Sequence, residues 1–254
     1  MLFHQIIFGP VKSRRLGVSL GVNLLPPESK ICSFNCIYCE CGFNFTNPHS
    51  HLPKTDEVEK ALREKLLEYA AKNEHIDTIT FAGNGEPTMH PHFADIIDNT
   101  VKLRDKICPK TKISVLSNAT FISKKDVFEA LQKIDNNILK LDSGIERTVK
   151  RINQPASDFS LAKTVENLQK FNGNIIIQTL FFKGTFNGTK IDNTSANEVA
   201  AWLNAIKQIN PKSVMLYTLD RPTPAKNLYK ADEQRLKEIS QEVEKLGIKT
   251  QINV

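Results

Sequence analysis

Apolar residues along this chain recur at two spacings, and the switch between them separates helices from strands. From Val58 to Ala70 they return every three or four positions (Val58, Ala61, Leu62, Leu66, Tyr69, Ala70), which predicts an amphipathic helix. Thr55 or Asp56 stands at its expected N-cap, with Glu59 as the reciprocal carboxylate of a capping box. The stretch IDTITFAG that follows is a strand candidate that ends in a Gly-rich turn at residues 83–85. The alternation then repeats. Phe93, Ile96, Ile97 and Val101 follow a helix-opening Pro91 and lead to KISVLS, and Val127, Phe128, Leu131 and Ile134, in a helix from Ser123, lead to ILKLD. Leu161, Val165 and Leu168 precede a stop at Asn172-Gly173 and the strand NIIIQTLFF. Ser195 and Glu198 predict a capping box for a helix with Val199, Trp202, Leu203 and Ile206 inward. SVMLY reads as a further strand, and Leu236, Ile239, Val243 and Leu246 as a last helix ending at Gly247.

With LGVSLGVNL as the first strand, these segments make about six β-then-α units. The predicted fold class is therefore α/β, a partial (β/α)6 TIM-like barrel with parallel strands. One domain over residues 1–254 is expected, with a core at about 16–247 and a short N-terminal extension. In such folds chemistry gathers at the C-terminal ends of the strands. Those ends carry a cysteine-rich loop, GNGEPT, SNAT, KLDSG, a long polar loop at about 183–194, and YTLDRPTPAKN. The lone Trp, the Met residues and the apolar stripes read as core.

Composition narrows the class. Hydrophobic residues at 40% and charged residues at 24% exclude a disordered chain or a disulfide-stapled mini-protein. The balance of 34 Lys and Arg against 28 Asp and Glu, a net +6, permits an anionic partner but is too diffuse to require a nucleic acid. No apolar run reaches the roughly 18 residues of a membrane span, and the start lacks the order of a signal peptide. A cytoplasmic protein without a membrane partner is the expectation.

Cysteine position says more than cysteine number. Cys32, Cys36, Cys39 and Cys41 fall within ten residues, whereas Cys108 stands alone. Cys32, Cys36 and Cys39 make a C-x3-C-x2-C triplet, a spacing that lets thiolates converge on one polynuclear centre. Iron-sulfur clusters ordinarily take four thiolates, so three would leave one iron open to a small molecule. Zinc with Cys41 as a fourth ligand is the alternative, but Cys39-x-Cys41 is tighter than the usual zinc gap and no second ligand pair follows. His90 and His92 in MHPHF flank a proline and read as a solvated helix entrance rather than a metal pair.

The triplet, with aromatic Tyr38 before its last cysteine, resembles the radical S-adenosylmethionine (SAM) superfamily. That resemblance implies a 4Fe-4S cluster on Cys32, Cys36 and Cys39, with S-adenosyl-L-methionine chelated at the open iron and Cys41 outside the ligand set. It also implies a reducing partner such as flavodoxin or ferredoxin. Gly83-Asn84-Gly85-Glu86-Pro87 resembles the family's glycine-glycine-glutamate loop along the methionine moiety of SAM, with Asn84 in place of the first glycine. Gly permits close backbone approach, and a carboxylate accepts from an ammonium. Ser117, Asn118, Asp142 and Gln178, with Lys140 nearby, stand at or along later strands and would line the cofactor.

A closer resemblance, over about residues 8 to 230, is to the branch that includes the wyosine-type tRNA synthetases. It rests on FGPVKSRRLGVSLGVNLLP and YTLDRPTP. Those enzymes carry additional N-terminal cysteines, and here none precedes Cys32. The substrate readings are thus a tRNA base on one side, and a peptide, protein or small metabolite on the other. Arg221 and Arg15, with Arg14, are the candidate contacts to substrate anions, because guanidinium binds phosphate and carboxylate through paired bonds.

Overall fold

In the computed structural model, which describes residues 2–254, strands and helices alternate along most of the chain. The elements are β1 (Ile7–Ser13), β2 (Gly17–Val22), α1 (Thr55–Ala71), β3 (Thr78–Phe81), a 3-10 turn (Pro87–Met89), α2 (Phe93–Ile107), β4 (Lys112–Ser117), α3 (Lys125–Gln132), β5 (Asn136–Lys140), α4 (Glu146–Ile152), α5 (Leu161–Gln169), β6 (Ile176–Leu180), β7 (Phe182–Phe186), β8 (Thr189–Asp192), α6 (Ala196–Ile209), β9 (Ser213–Tyr217), β10 (Leu228–Lys230), α7 (Glu233–Glu244) and β11 (Lys249–Asn253). The fold class is α/β with mostly parallel strands, a partial TIM-like barrel, as the alternation predicts.

Two compact units divide the residues. The first holds the chain up to Ser33, Asn44–Ser117 and Phe121–Asn137. There β1 pairs antiparallel with β2, and β2, β3 and β4 run parallel. Leu20, Val22, Ile79, Phe81, Ile113 and Val115 are buried in these strands, and α1 covers them with Val58, Leu62, Leu66 and Tyr69. The second unit holds Phe34–Phe43, Asn118–Thr120 and Ile138–Val254. Its strands β5, β6, β9 and β11 are parallel, and β10, β7 and β8 form a separate three-stranded antiparallel sheet. Trp202 of α6 is buried and donates from its indole to Leu141 O at 3.1 Å.

Several local expectations are corrected. The polar loop at 183–194 is the hairpin β7–β8, turned at Asn187 and Gly188, both with positive φ (47° and 73°). Asn-Gly is a strong signal for such a turn. The N-terminal extension contributes β1, while α4, β10 and β11 were not anticipated. At the start of α1 Glu57 Oε2 accepts from the Lys54 amide at 2.7 Å, one half of a capping box that the lysine side chain, having no acceptor, does not complete. Glu59 instead pairs with Arg63 at 2.6 Å. Ser195 stands at the N-cap position of α6 but makes no side-chain capping bond, and Glu198 accepts instead from Ser143 Oγ at 2.6 Å and from Thr148 Oγ1.

His90 is also corrected, because it is buried rather than solvated. Its Nδ1 accepts from the His92 amide at 3.1 Å, so Nε2 carries the proton and donates to Pro53 O at 2.9 Å. Burial holds the imidazole below its ordinary pKa, against the smaller opposing effect of Pro53 O. A folded pKa below the unfolded value near 6.5 gives stability that is full above that value and lost as pH falls through the folded pKa. The denaturant midpoint of the protein is therefore expected to fall between about pH 7 and pH 5 more than that of His90→Gln. Parallel falls in the two proteins would show that another group is responsible.

Candidate functional site

In the first unit the end of β3 is shaped by two glycines. Gly83 has φ +149°, and an added Cβ would lie 2.5 Å from Asn23 Oδ1. Gly85 has φ +145°, and its added Cβ would lie 1.7 Å from Ile31 O. That space is filled by main chain. Ile31 N donates to Asn84 O at 2.9 Å and Glu86 N donates to Ile31 O at 3.3 Å, a parallel bridge between Ile31 and Gly85. On its other side the segment pairs through Lys30 and Phe45, with amide bonds of 2.8 and 3.0 Å. Cys32 follows directly and is partly exposed, with Asn44 Nδ2 donating to its carbonyl at 2.9 Å. The first cysteine is thus fixed in position against the glycine-glutamate loop.

The Asn84 side chain ties the loop to other parts of the first unit. Its side chain is fully buried, with Nδ2 donating to Phe3 O at 2.8 Å and to the carbonyls of Pro26 and Pro27 at 3.1 and 3.2 Å. Phe3 N donates back to Oδ1 at 2.8 Å. The amide therefore ties the N-terminal segment to the turn after β2. Glu86 is buried too, and its Oε1 caps the following 3-10 turn by accepting from Thr88 N at 3.1 Å and from the Thr88 hydroxyl. Ser117 is the buried last residue of β4. Arg14 and Arg15 occupy the β1–β2 hairpin tip. This tip precedes β2, and Ser19 of β2 pairs with Thr78 at the start of β3, so it lies at the strand end opposite Gly83–Glu86. Arg15 and the glycine loop are not brought together.

In the second unit the cysteine loop leans on the end of α4. Asn35 N donates to Asn153 O at 2.9 Å, Ile37 N to Ile152 O at 3.0 Å, and Ala225 N to Ile37 O at 3.1 Å. Cys39 N donates to Cys36 O at 3.1 Å, closing a turn that carries the last two cysteines of the motif. Cys36 and Tyr38 are buried, and Cys39 and Cys41 are partly exposed.

Beneath this turn lies a polar cluster. The Tyr38 hydroxyl donates to Asp142 Oδ2. Asn153 Nδ2 donates to the same oxygen at 2.7 Å, to the Tyr38 oxygen at 2.8 Å and to Cys36 Sγ at 3.4 Å. Leu180 N donates to Asp142 Oδ1 at 2.9 Å. Lys140 Nζ stands 3.4 Å from Asp142 Oδ2 and donates to the Tyr217 hydroxyl at 3.0 Å, above both the Tyr38 and Tyr217 rings. Burial lowers the lysine pKa, but Asp142 and then Tyr217 outweigh it and raise the net value, so the ammonium stays charged. Burial raises the Cys36 thiol pKa, with Lys140 and Asn153 opposing, and burial together with Asp142 raises the Tyr38 phenol well above its usual value.

Asp142 therefore anchors Tyr38 and Asn153 with both carboxylate oxygens engaged. Gln178 of β6 is buried at the position registered with Lys140. Asn118 accepts from Thr120 N at 3.0 Å and Oγ1 at 2.6 Å, a local turn. Arg221 pairs with Glu40, between Cys39 and Cys41, at 2.8 Å on the surface. Asn153 and Tyr217 were not among the expected residues. Asn153 ends a helix that the periodicity did not reveal, and its sulfur partner is 117 residues away.

The donor set suits an iron-sulfur cluster. All five cysteines are thiols rather than disulfides, and Asn153 already aims an N–H at one sulfur of the triplet. Among the described residues no three His, Cys, Asp or Glu side chains are gathered as for a single metal ion. No helix among them is long and apolar enough to cross a membrane.

Comparison with known proteins places these features. Residues 29–189 match the Radical SAM superfamily. The UPF0026 protein of Helicobacter pylori (strain ATCC 700392 / 26695) is 32% identical over 238 residues, covering 91% of this chain and 72% of that protein. A radical SAM methyltransferase from Sphaerobacter thermophilus shares the fold with a TM-score of 0.68 at 12% identity, over 92% of this chain and 65% of that one. Streptococcus suis SuiB bound to S-adenosylmethionine does so at 0.64 and 15%, over 89% and 49%. The chain thus spans about two thirds of the methyltransferase and half of SuiB. More than half of its residues fall within the superfamily match, and a relative is similar along most of both chains, so this chain belongs to the radical SAM superfamily of enzymes, within its UPF0026 group.

Proposed function

We propose that the chain holds a 4Fe-4S cluster on Cys32, Cys36 and Cys39 and binds SAM beside it as one core domain. The observation that carries this reading is the Ile31–Gly85 bridge, which fixes the first cysteine of the triplet beside the glycine-glutamate loop. When bound, the cluster and SAM supply reductive cleavage to methionine and a 5′-deoxyadenosyl radical that abstracts hydrogen from substrate. The protein's own residues bind and orient. Gly83 and Gly85 bring main chain close to the methionine moiety, and Glu86 would supply the carboxylate that accepts from its ammonium. Tyr38, pinned by Asp142, holds the turn that carries Cys36 and Cys39. Electrons come from a low-potential donor such as flavodoxin or ferredoxin in the cytoplasm, where thiols stay reduced.

An RNA base is the substrate reading favoured by the net charge of +6 and by Lys183, Lys190 and Tyr229, which share one face of the β10-β7-β8 sheet with Asp192. Base stacking on an exposed aromatic, with lysines on the phosphates, suits such a face. Anaerobic reconstitution followed by reduction with SAM is expected to yield 5′-deoxyadenosine and methionine, stimulated by whole-cell RNA. Stimulation only by peptide or metabolite fractions would replace the RNA reading with the alternative, and no SAM cleavage under any condition would overturn the reaction.

Glu86→Gln keeps an acceptor for Thr88 but removes the charge. It is expected to weaken SAM binding roughly 10-fold or more, the loss of a charge-assisted hydrogen bond worth about 1.5–3 kcal/mol. Equilibrium dialysis against labelled SAM reads this directly. Unchanged affinity would separate Glu86 from the cofactor.

A further inference from the structure

We propose that Asn153 sets the reduction potential of the centre through its hydrogen bond to Cys36 Sγ, held on that sulfur by Asp142 and backed by the buried Lys140 charge. The inference rests on the cluster reading above and extends it to residues outside the cysteine motif.

The geometry is specific. Asn153 Nδ2 has two protons for three acceptors: Asp142 Oδ2, the Tyr38 oxygen and Cys36 Sγ. Asp142 Oδ2 already receives the Tyr38 proton and so can only accept, which fixes the amide with its NH2 toward the carboxylate. One proton goes to Asp142. The other lies between the Tyr38 oxygen and Cys36, and a thiolate ligating iron is the stronger acceptor. The amide cannot turn away, because the reversed orientation would place its oxygen against Asp142. Lys140 supplies a fixed positive charge 3.4 Å from the same carboxylate, and burial keeps solvent from screening it. Asn153 and Asp142 are almost fully buried, so the arrangement belongs to the folded interior rather than to a mobile surface.

Hydrogen bonds to the sulfurs, net charge and solvent exposure are what move iron-sulfur potentials. One-electron reduction adds a negative charge, which the N–H dipole and the Lys140 ammonium stabilise, while the Asp142 carboxylate offsets part of the ammonium's effect. The pair therefore raises the potential, which eases electron uptake from a low-potential donor. Asn153 acts through Cys36 and is a positioning residue.

The test is an anaerobic redox titration of the reconstituted protein, followed by the EPR signal of the reduced centre. Asn153→Leu, close in shape but without a donor, is expected to hold iron and to show a more negative midpoint, with Asn153→Gln lying between it and the natural protein. Pulsed EPR of the natural protein carrying 15N-labelled asparagine is expected to show a 15N coupling that Asn153→Leu lacks. Should Asn153→Leu fail to fold, that coupling in the natural protein decides alone. A brown protein with no coupling, or with the same midpoint in Asn153→Leu, overturns the inference and leaves the cluster reading standing. A colourless protein overturns both.

Discussion

Replacing Cys36 with Ala is expected to leave the anaerobically reconstituted protein colourless, with iron falling from about four atoms per chain to background. SAM cleavage should vanish with it. Cys36 is the buried member of the triplet, and its sulfur already has a donor in Asn153, so no neighbouring thiol reaches its place without rebuilding the turn to Cys39. Cys32→Ala and Cys39→Ala should behave alike, whereas Cys41→Ala and Cys108→Ala should keep the brown colour. Iron and sulfide assays with the visible spectrum read all five variants. Full iron in Cys36→Ala, or its loss in Cys41→Ala, would mean that the ligand set is misassigned, and zinc in place of iron would revive the zinc reading.

The second large effect is expected at Gly85. A Cβ there would sit 1.7 Å from Ile31 O and 2.5 Å from Ile31 C, both main-chain atoms that no rotamer change can move aside. The positive φ of 145° adds strain for any other residue. Strain and overpacking together predict a loss of roughly 3–5 kcal/mol for Gly85→Ala, a large part of a domain's stability. Urea unfolding of the apo protein measures it. Gly42→Ala is the control, since its φ of 88° is also positive but nothing lies within 4 Å of the added Cβ, and it should lose much less. Equal losses would assign the effect to backbone strain alone and remove the argument from close approach.

The six-unit alternation was legible because buried parallel strands and one-faced helices leave strong local periodicities, as Val58, Leu62 and Leu66 in α1 illustrate. The cysteine triplet and GNGEP were legible because spacing alone distinguishes them. What escaped depends on partners far along the chain. Nothing near Asn84 indicates that its amide serves Phe3, 81 residues away, and nothing near Asp142 indicates that Tyr38 is its partner, 104 residues away. Arg15, a candidate anion contact, stands at the hairpin tip between β1 and β2, at the strand end opposite the glycine loop, a placement that only the strand register reveals. Short elements such as α4 and β10 have too few residues to establish a period. The capping boxes failed for a related reason, since Glu198 found better partners in Ser143 and Thr148 than in its own helix.

The bonds that join Ile31, next to Cys32, to the glycine loop run between peptide groups of Ile31, Asn84 and Glu86, not between their side chains. Amides and carbonyls are common to nearly every residue type, so position 31 can change identity without losing these bonds. The address of the first cysteine is written instead at position 85, in the one residue that has no side chain to change.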